Sequence, residues 1–117
     1  MEVQIFGSKK SADTRKALRF FAERRIKAHF VDFAERNPSI GELTRFAQEF
    51  GVEKIIDRQS KRFLDLGLAH AGLSPTRWIE KLADEPMALV QPLVRCQNQL
   101  TIGLNEEEWK DWIQNLQ

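Results

Sequence analysis

The chain has 117 residues, 42% of them hydrophobic, which is enough for one domain with a single core. Eighteen Lys and Arg residues against 17 Asp and Glu residues give a net charge of +1, so no global field requires a nucleic acid or a membrane as partner. The one cysteine, Cys96, excludes an intramolecular disulfide and favours a reduced, cytoplasmic protein. We expect no secretion signal, membrane span or metal site, because no apolar run is long enough and His29 and His70 are far apart in sequence.

The charges are nevertheless unevenly distributed. Residues 1–30 contain three acidic groups and eight basic ones, Lys9, Lys10, Arg15, Lys16, Arg19, Arg24, Arg25 and Lys27. The segment from Asn105 onward is acidic. Two amphipathic helices with solvated faces explain this pattern. The alternative is a basic face that binds an anion or an acidic partner.

The first half of the chain predicts a strand, a helix, a second strand and a further helix. Val3–Phe6 is a short apolar strand, and Ser11–Arg25 carries apolar residues at helical spacing. Ala28–Phe33 is rich in aromatic and β-branched residues, which favours a strand. A capping box at Ser39–Glu42 then begins a helix that ends at Gly51.

The second half predicts smaller helical elements followed by a hairpin. The middle elements are a short segment Val52–Ile56, a polar turn Asp57–Lys61, a small helix or turn Phe63–Leu68 and a helix from Ser74 to Asp84. Val90–Val94 and Leu100–Gly103 are predicted strands, joined by the polar turn Arg95–Gln99. Asn105, three residues before Glu108, caps the last helix.

The order of these elements predicts an α/β fold. The first two strands join through a helix and are therefore expected to be parallel, whereas the last two form an antiparallel pair. A mixed four-stranded sheet flanked by the first and last helices is thioredoxin-like. We predict a single domain over 1–117, with the thioredoxin-like core at 1–35 and 88–117 and an inserted helical subdomain at 36–87.

The turn before the first helix is the candidate site. In the thioredoxin-like layout this turn presents a nucleophilic thiol at a helix N-terminus, where backbone N–H groups favour the thiolate. Here Ser11 offers a hydroxyl, which is a poor nucleophile and cannot form a disulfide. Ser11 is either a helix N-cap and nothing more, or part of a residual ligand site.

The chain resembles the arsenate reductase family in its wider sense, which includes the Spx-type regulators and small glutathione-linked, glutaredoxin-related proteins. The matching segments, in order and at suitable spacing, are Ile5–Ala17, Asp57–Leu68, Leu82–Val94 and Gly103–Trp109. The resemblance implies that Ser11 falls on the nucleophilic cysteine and Thr14 on the second cysteine of some members. It also implies that Pro92 is cis, although an ordinary trans proline at a strand start fits the sequence as well, and that Gln91 replaces an oxyanion-binding arginine.

Both replacements weaken arsenate chemistry. A serine could at most form an ester with arsenate, which stores no reducing equivalents, and Gln91 lacks the charge and the bidentate donors of an arginine. An anion such as phosphate, sulfate or a glutathione carboxylate could still bind at the basic helix start. The candidate ligand-binding residues are Lys9, Lys10, Arg15, Arg58, Gln91, Pro92 and Arg95.

Cys96 is a second candidate because it follows Arg95 in the predicted hairpin turn. An exposed thiol beside a cation would have a lowered pKa and could be modified by glutathione. The alternative is that a lone cysteine without a resolving partner has no function.

The first hypothesis is therefore a divergent family member that has lost thiol-based reduction and acts as a binding or regulatory module. It would need no cofactor and would bind a protein partner, whereas nucleic acid is not favoured because no exposed aromatic residues interleave with the basic groups. The alternative is a glutathione-linked oxidoreductase or transferase in which glutathione supplies the thiol. A third reading is that Ser11 replaces a natural cysteine by design.

Overall fold

The computed structural model describes residues 1–115, which form four strands and six helices. In chain order these are β1 (Glu2–Gly7), α1 (Ala12–Glu23), β2 (Lys27–Asp32), α2 (Ile40–Phe50), α3 (Val52–Ile55), α4 (Lys61–Leu66), α5 (Pro75–Asp84), a 3₁₀ turn (Pro86–Ala88), β3 (Leu93–Cys96), β4 (Gln99–Ile102) and α6 (Glu106–Asn115). Each predicted helix is present, and the small element after the polar turn is a helix.

The sheet has the strand order β2-β1-β3-β4. β1 and β2 are parallel and are joined by α1, while β1–β3 and β3–β4 are antiparallel. Gln4 of β1 is paired with His29 of β2 on one side and with Arg95 of β3 on the other. The mixed four-stranded sheet expected from the sequence is therefore confirmed.

The hairpin differs from its prediction. The predicted first strand, Val90–Val94, is present as β3 but its bounds are wrong, since β3 begins only after Pro92, which has no N–H to donate to a ladder. β3 then continues to Cys96, which pairs with Gln99, so the turn has two residues instead of five. Its first residue, Gln97, has φ 55°, the positive value that two-residue hairpin turns require.

The described chain divides into two compact units. One consists of Met1–Asp32 together with the chain from Gln91 onward, and the other is Phe33–Val90. The assignment of all 117 residues to a single domain stays a prediction.

The core of the first unit lies between one face of the sheet and the helices α1 and α6. Its buried residues are Val3, Ile5, Ala17, Phe20, Phe21, Val94, Cys96, Trp109 and Trp112. The indole N–H of Trp109 donates to Thr101 Oγ1 at 2.8 Å, so the one polar atom of this ring is satisfied inside the core. Truncation of such a fully buried tryptophan to alanine typically costs about 3–5 kcal/mol.

The second unit is helical and is held by local caps and a small aromatic core. The capping box predicted for α2 is present, since Ser39 Oγ accepts from the Glu42 N–H and Glu42 Oε1 accepts from the Ser39 N–H. Phe63 of α4 stacks on Trp78 of α5, with ring centroids 6.2 Å apart. Among residues 1–115, no helix combines the length and the apolar character needed to cross a bilayer.

Candidate functional site

The turn between β1 and α1 is closed by a serine at each end. Ser11 Oγ accepts from the Thr14 N–H at 3.1 Å, and the Ser11 N–H donates to the Ser8 carbonyl at 2.9 Å. Ser11 has extended backbone angles, φ −84° and ψ 122°, as an N-cap residue should. The predicted N-cap role of Ser11 is therefore present in the structure.

Ser8 is a site residue that the sequence analysis missed. Its side chain accepts from the Lys10 N–H at 3.1 Å, and its own N–H donates to Gln91 Oε1 at 2.7 Å. Ser8 is 5% exposed, so its polar groups are out of reach of solvent and these hydrogen bonds take the place of bonds to water. The Gly-Ser-Lys-Lys sequence is typical of a turn in which a serine hydroxyl accepts a hydrogen bond from the backbone N–H two residues later. This pattern in the sequence is sufficient to predict the bond from the Lys10 N–H to the Ser8 side chain.

Gln91 and Pro92 bring the other end of the chain to this turn. The Gln91–Pro92 peptide bond is cis, as the family resemblance implies. Pro92 is buried, and its carbonyl accepts from the Gly103 N–H at 2.8 Å. Gln91 acts on Ser8 as a hydrogen-bond acceptor, a role that an arginine cannot fill because a guanidinium has only donors.

The first turn of α1 presents open donors beside a basic surface. The N–H groups of Ala12 and Asp13 have no acceptor among residues 1–115, and the positive end of the helix dipole adds to them. Lys9 and Lys10 are exposed next to them, and Arg15 Nη1 donates to the Lys9 carbonyl. This arrangement can bind an anion, but it contains no thiol.

Thr14, a buried residue in the first turn of α1, packs against Gly7 at the end of β1. It is fully buried, and its hydroxyl oxygen has no hydrogen-bond partner within residues 1–115. A Cβ added to Gly7 would lie 2.5 Å from Thr14 Oγ1, so only glycine fits at the end of β1. The sequence alone does not indicate this role of Gly7, because the close approach depends on how α1 packs on β1.

Arg95 is not brought to this turn. The sequence predicts Arg95 in the hairpin turn and near Ser11, but it lies within β3 opposite Gln4, which precedes Ser8 by four residues. Its Nε donates to the Gln97 carbonyl at 2.8 Å. The reason is the shorter hairpin turn, which leaves Arg95 inside the strand.

Arg58 lies in the second unit, where it is engaged by its own surroundings. Its guanidinium contacts the Glu53 carboxylate through Nε at 3.1 Å and Nη2 at 2.9 Å. It also lies over the rings of Phe63 and Trp78, at 5.2 and 5.7 Å from their centroids. Much of its charge is therefore balanced by Glu53.

Of the two readings of Cys96, the exposed thiol in the hairpin turn is contradicted by the structure. Cys96 is the last residue of β3, is 3% exposed and belongs to the core of the first unit. Burial raises the pKa of its thiol, and the positive charge of the N-terminal ammonium offsets only part of this rise. The neighbouring Arg95 does not activate it, because successive side chains of a strand point to opposite faces.

No group of three or more His, Cys, Asp or Glu residues within the described part of the chain, 1–115, is arranged to hold a metal ion. The donors at the start of α1 are N–H groups and ammonium groups, which bind anions and repel cations. The groups at this turn therefore suit an anion or a polar ligand better than a cation.

Comparison with known proteins places this geometry in a family. The model of the ArsC family matches residues 6–112. The chain is 32% identical over 113 residues to the global transcriptional regulator Spx of Streptococcus pyogenes serotype M1, covering 91% of this chain and 81% of that protein. It is 28% identical over 119 residues to the global transcriptional regulator Spx 2 of Bacillus cereus, covering 95% and 86%.

Solved structures share the fold. The arsenate reductase from Vibrio cholerae matches with a TM-score of 0.81 at 24% identity, over 95% of this chain and 97% of that one. The YFFB (PA3664) protein matches with a TM-score of 0.85 at 20% identity, over 93% and 96%. The family model spans the β1–α1 turn, the second unit and the cis-proline segment together, and the chain therefore belongs to the ArsC family.

Proposed function

We propose that this chain is an ArsC-family protein that has lost thiol-based reduction and acts by binding a partner. The observation that carries the proposal is the state of its two candidate nucleophiles. Ser11 carries a hydroxyl that caps α1, and Cys96, the one thiol of the sequence, is buried in the core with a raised pKa. Neither group can attack an arsenic or sulfur centre as a thiolate.

The relatives support a binding role of a regulatory kind. Two of them are named global transcriptional regulators, and the chain covers more than four-fifths of each. The exposed basic residues around the start of α1 would suit an acidic surface on a protein partner. A reduced, cytoplasmic location fits an unpaired Cys96.

A glutathione-linked enzyme is the second candidate, and one observation favours it. The open N–H groups of Ala12 and Asp13, with Lys9 and Lys10 beside them, could hold a carboxylate of glutathione. In that case glutathione supplies the thiol and Ser11 donates a hydrogen bond to its sulfur.

The two candidates are separated by an amide-shift NMR titration with reduced glutathione, combined with a turnover assay using glutathione and arsenate or a disulfide. The binding module predicts no saturable shifts at 9–15 and no turnover above the rate without protein. Ser11→Ala should then lower only the stability of α1, by about 1 kcal/mol. Ser11→Asp, which keeps an acceptor at the cap, is the matched control.

The opposite result would favour the enzyme. Saturable shifts at 9–15 and 91–92, with turnover that Ser11→Ala abolishes and Ser11→Asp does not restore, would contradict the proposal. Ser11→Cys tests the third reading. Strong arsenate reduction by that variant alone would show that only the thiol was missing.

A further inference from the structure

An open cavity of about 460 Å³ lies in the first unit, at the end of the sheet where β1 begins and the β3–β4 hairpin turns. It is about 15 Å along β1 from the Ser8–Ser11 turn, since a strand rises about 3.3 Å per residue. The proposed function above does not use it. The side chains that matter for its chemistry are Met1, Glu2, Gln4, His29, Arg95 and Gln97.

Three of these side chains form a row across the sheet. Gln4 is paired with His29 on β2 and with Arg95 on β3. Directly paired residues present their side chains on the same face, and adjacent strands are about 4.8 Å apart, so His29 and Arg95 flank Gln4 across about 10 Å. The residues before and after this row belong to the core beneath α1 and α6: Val3, Ile5, Val94 and Cys96. The row therefore lies on the opposite face of the sheet.

The Arg95 side chain is oriented by one hydrogen bond, which leaves other donors of its guanidinium available for an oxyanion. Its half-buried side chain is oriented by the bond from Nε to the Gln97 carbonyl at 2.8 Å. Its terminal nitrogens, Nη1 and Nη2, have no acceptor among residues 1–115. A guanidinium in this state offers parallel N–H donors that match two oxygens of a carboxylate or a phosphate.

The Arg95 guanidinium is not paired with a carboxylate among residues 1–115. Glu2 is the one carboxylate of its lining, and Glu2 is occupied by Lys27 Nζ at 3.6 Å and by His29 Nε2 at 3.5 Å. Lys27 and Arg95 together bring two positive charges to this end of the sheet, against the single negative charge of Glu2. The cavity thus carries an excess of positive charge, and its volume is in the range of small-molecule sites.

We propose that this cavity binds a small molecule through a carboxylate or phosphate group, with Arg95 as the principal contact. Arg95 holds the oxyanion in two hydrogen bonds, and His29 lies where it contacts the remainder of the ligand. The site is separate from the turn before α1, so it would give the protein a small-molecule input distinct from its partner surface.

The test is an amide-shift NMR titration of the full chain with inorganic phosphate and, separately, with succinate, both at constant ionic strength. We expect saturable shifts at Gln4, His29, Arg95 and Gln97 with at least one salt, at a Kd in the millimolar range or tighter. Saturation with phosphate alone assigns a phosphate-bearing ligand, and saturation with succinate alone assigns a carboxylate-bearing one. Saturation with both supports the oxyanion group itself.

Variants show whether Arg95 carries the binding. Arg95→Gln should weaken it at least tenfold, and Arg95→Lys, which keeps the charge but not the two parallel donors, should weaken it several-fold. Arg19→Gln removes the same charge from the exposed side of α1 and should leave the affinity unchanged. The proposal is overturned if neither salt gives saturable shifts at the cavity up to 20 mM, or if Arg95→Gln binds as the parent does. These amides differ from those at 9–15, so this result and the glutathione result are independent.

Discussion

The Ser8 N–H donates to Gln91 Oε1 at 2.7 Å, joining the turn before α1 to the residue that precedes the cis proline. Ser8 is almost fully buried, so its N–H depends on this acceptor. Gln91, at the position where the resemblance implies an arginine, therefore has a structural role in holding this turn. This assignment gives Gln91 a role opposite to oxyanion binding, since it accepts where an arginine would donate.

We predict that Gln91→Arg destabilises the protein by about 1–3 kcal/mol, because the buried Ser8 N–H would lose its acceptor. Gln91→Glu keeps an acceptor oxygen at the same place and should retain most of the stability. The free energy of unfolding in urea measures both. Equal losses in the two variants would show that the bond to Ser8 does not matter.

Thiol alkylation distinguishes the buried cysteine from a thiol at the start of α1. At neutral pH we expect Cys96 to react at least a hundredfold more slowly in the native protein than in urea, because it is buried and its pKa is raised. Ser11→Cys should add one fast-reacting thiol, with a pKa below about 8.5 because the helix N-terminus favours the thiolate.

The double variant Ser11→Cys/Cys96→Ala is the control for that experiment and should keep the single fast reaction. Mass spectrometry counts the labels. Native wild-type protein that is labelled as fast as unfolded protein would contradict the burial of Cys96.

Arg25 is a position where a substitution should stabilise the protein. It follows the end of α1 with φ 58°, its N–H donates to Ala22 O, and the Ile26 N–H donates to Phe21 O. This is a Schellman motif with arginine where glycine is usual. Arg25→Gly should raise the stability by about 1 kcal/mol, because glycine adopts positive φ without steric cost.

Arg25→Ala is the matched control, since it removes the same side chain but keeps the strain of a Cβ at positive φ. Thermal unfolding compares the two. A gain with alanine as large as that with glycine would assign the effect to charge and not to the backbone.

Glu42 should make the stability depend on pH in the acid range. Burial raises the pKa of its carboxyl, but hydrogen bonds from the Arg36 guanidinium and the Ser39 N–H outweigh burial, and the net pKa lies below its ordinary value. A lowered folded pKa gives a stabilising contribution that is complete above the unfolded pKa of about 4.3 and is lost as pH falls through the folded value.

The variant Glu42→Gln should therefore be less stable than the parent at pH 7, and the difference should shrink steadily below about pH 4. Urea unfolding at several pH values measures it. Glu49→Gln changes the charge of an exposed residue on the same helix and serves as the control. A difference between parent and Glu42→Gln that does not change with pH would rule out this ionic contribution.

Local patterns in the sequence were sufficient for most of the fold. The helical spacing of apolar residues and the caps at Ser11, Ser39 and Asn105 depend on neighbours within one turn, and each cap is present. Connectivity predicted the parallel β1–β2 pair and the antiparallel β3–β4 pair, because a helix joins the first two strands and a short turn joins the last two. The pairing of β1 with β3, which joins the two pairs into one sheet, does not follow from connectivity.

The features that sequence reasoning missed depend on pairing between distant segments. The bond from Ser8 to Gln91 spans 83 positions, and no local pattern indicates it. The error at the hairpin turn also misplaced Arg95 and Cys96, because a strand extended by two residues assigns each side chain to a face of the sheet. Because Arg95 and Cys96 are successive residues of a strand, their side chains lie on opposite faces of the sheet and do not form a reactive pair.

The insertion of Phe33–Val90 between β2 and β3 also sets the order in which the protein can fold during synthesis. The helical unit is continuous in sequence, so all of it is available once Val90 has left the ribosome. The sheet, by contrast, needs β3 and β4, and β1 cannot pair with β3 until the chain has been synthesised past Cys96. We therefore expect the helical unit to form first, while β1 and β2 remain an incomplete pair with an exposed edge until β3 has been synthesised.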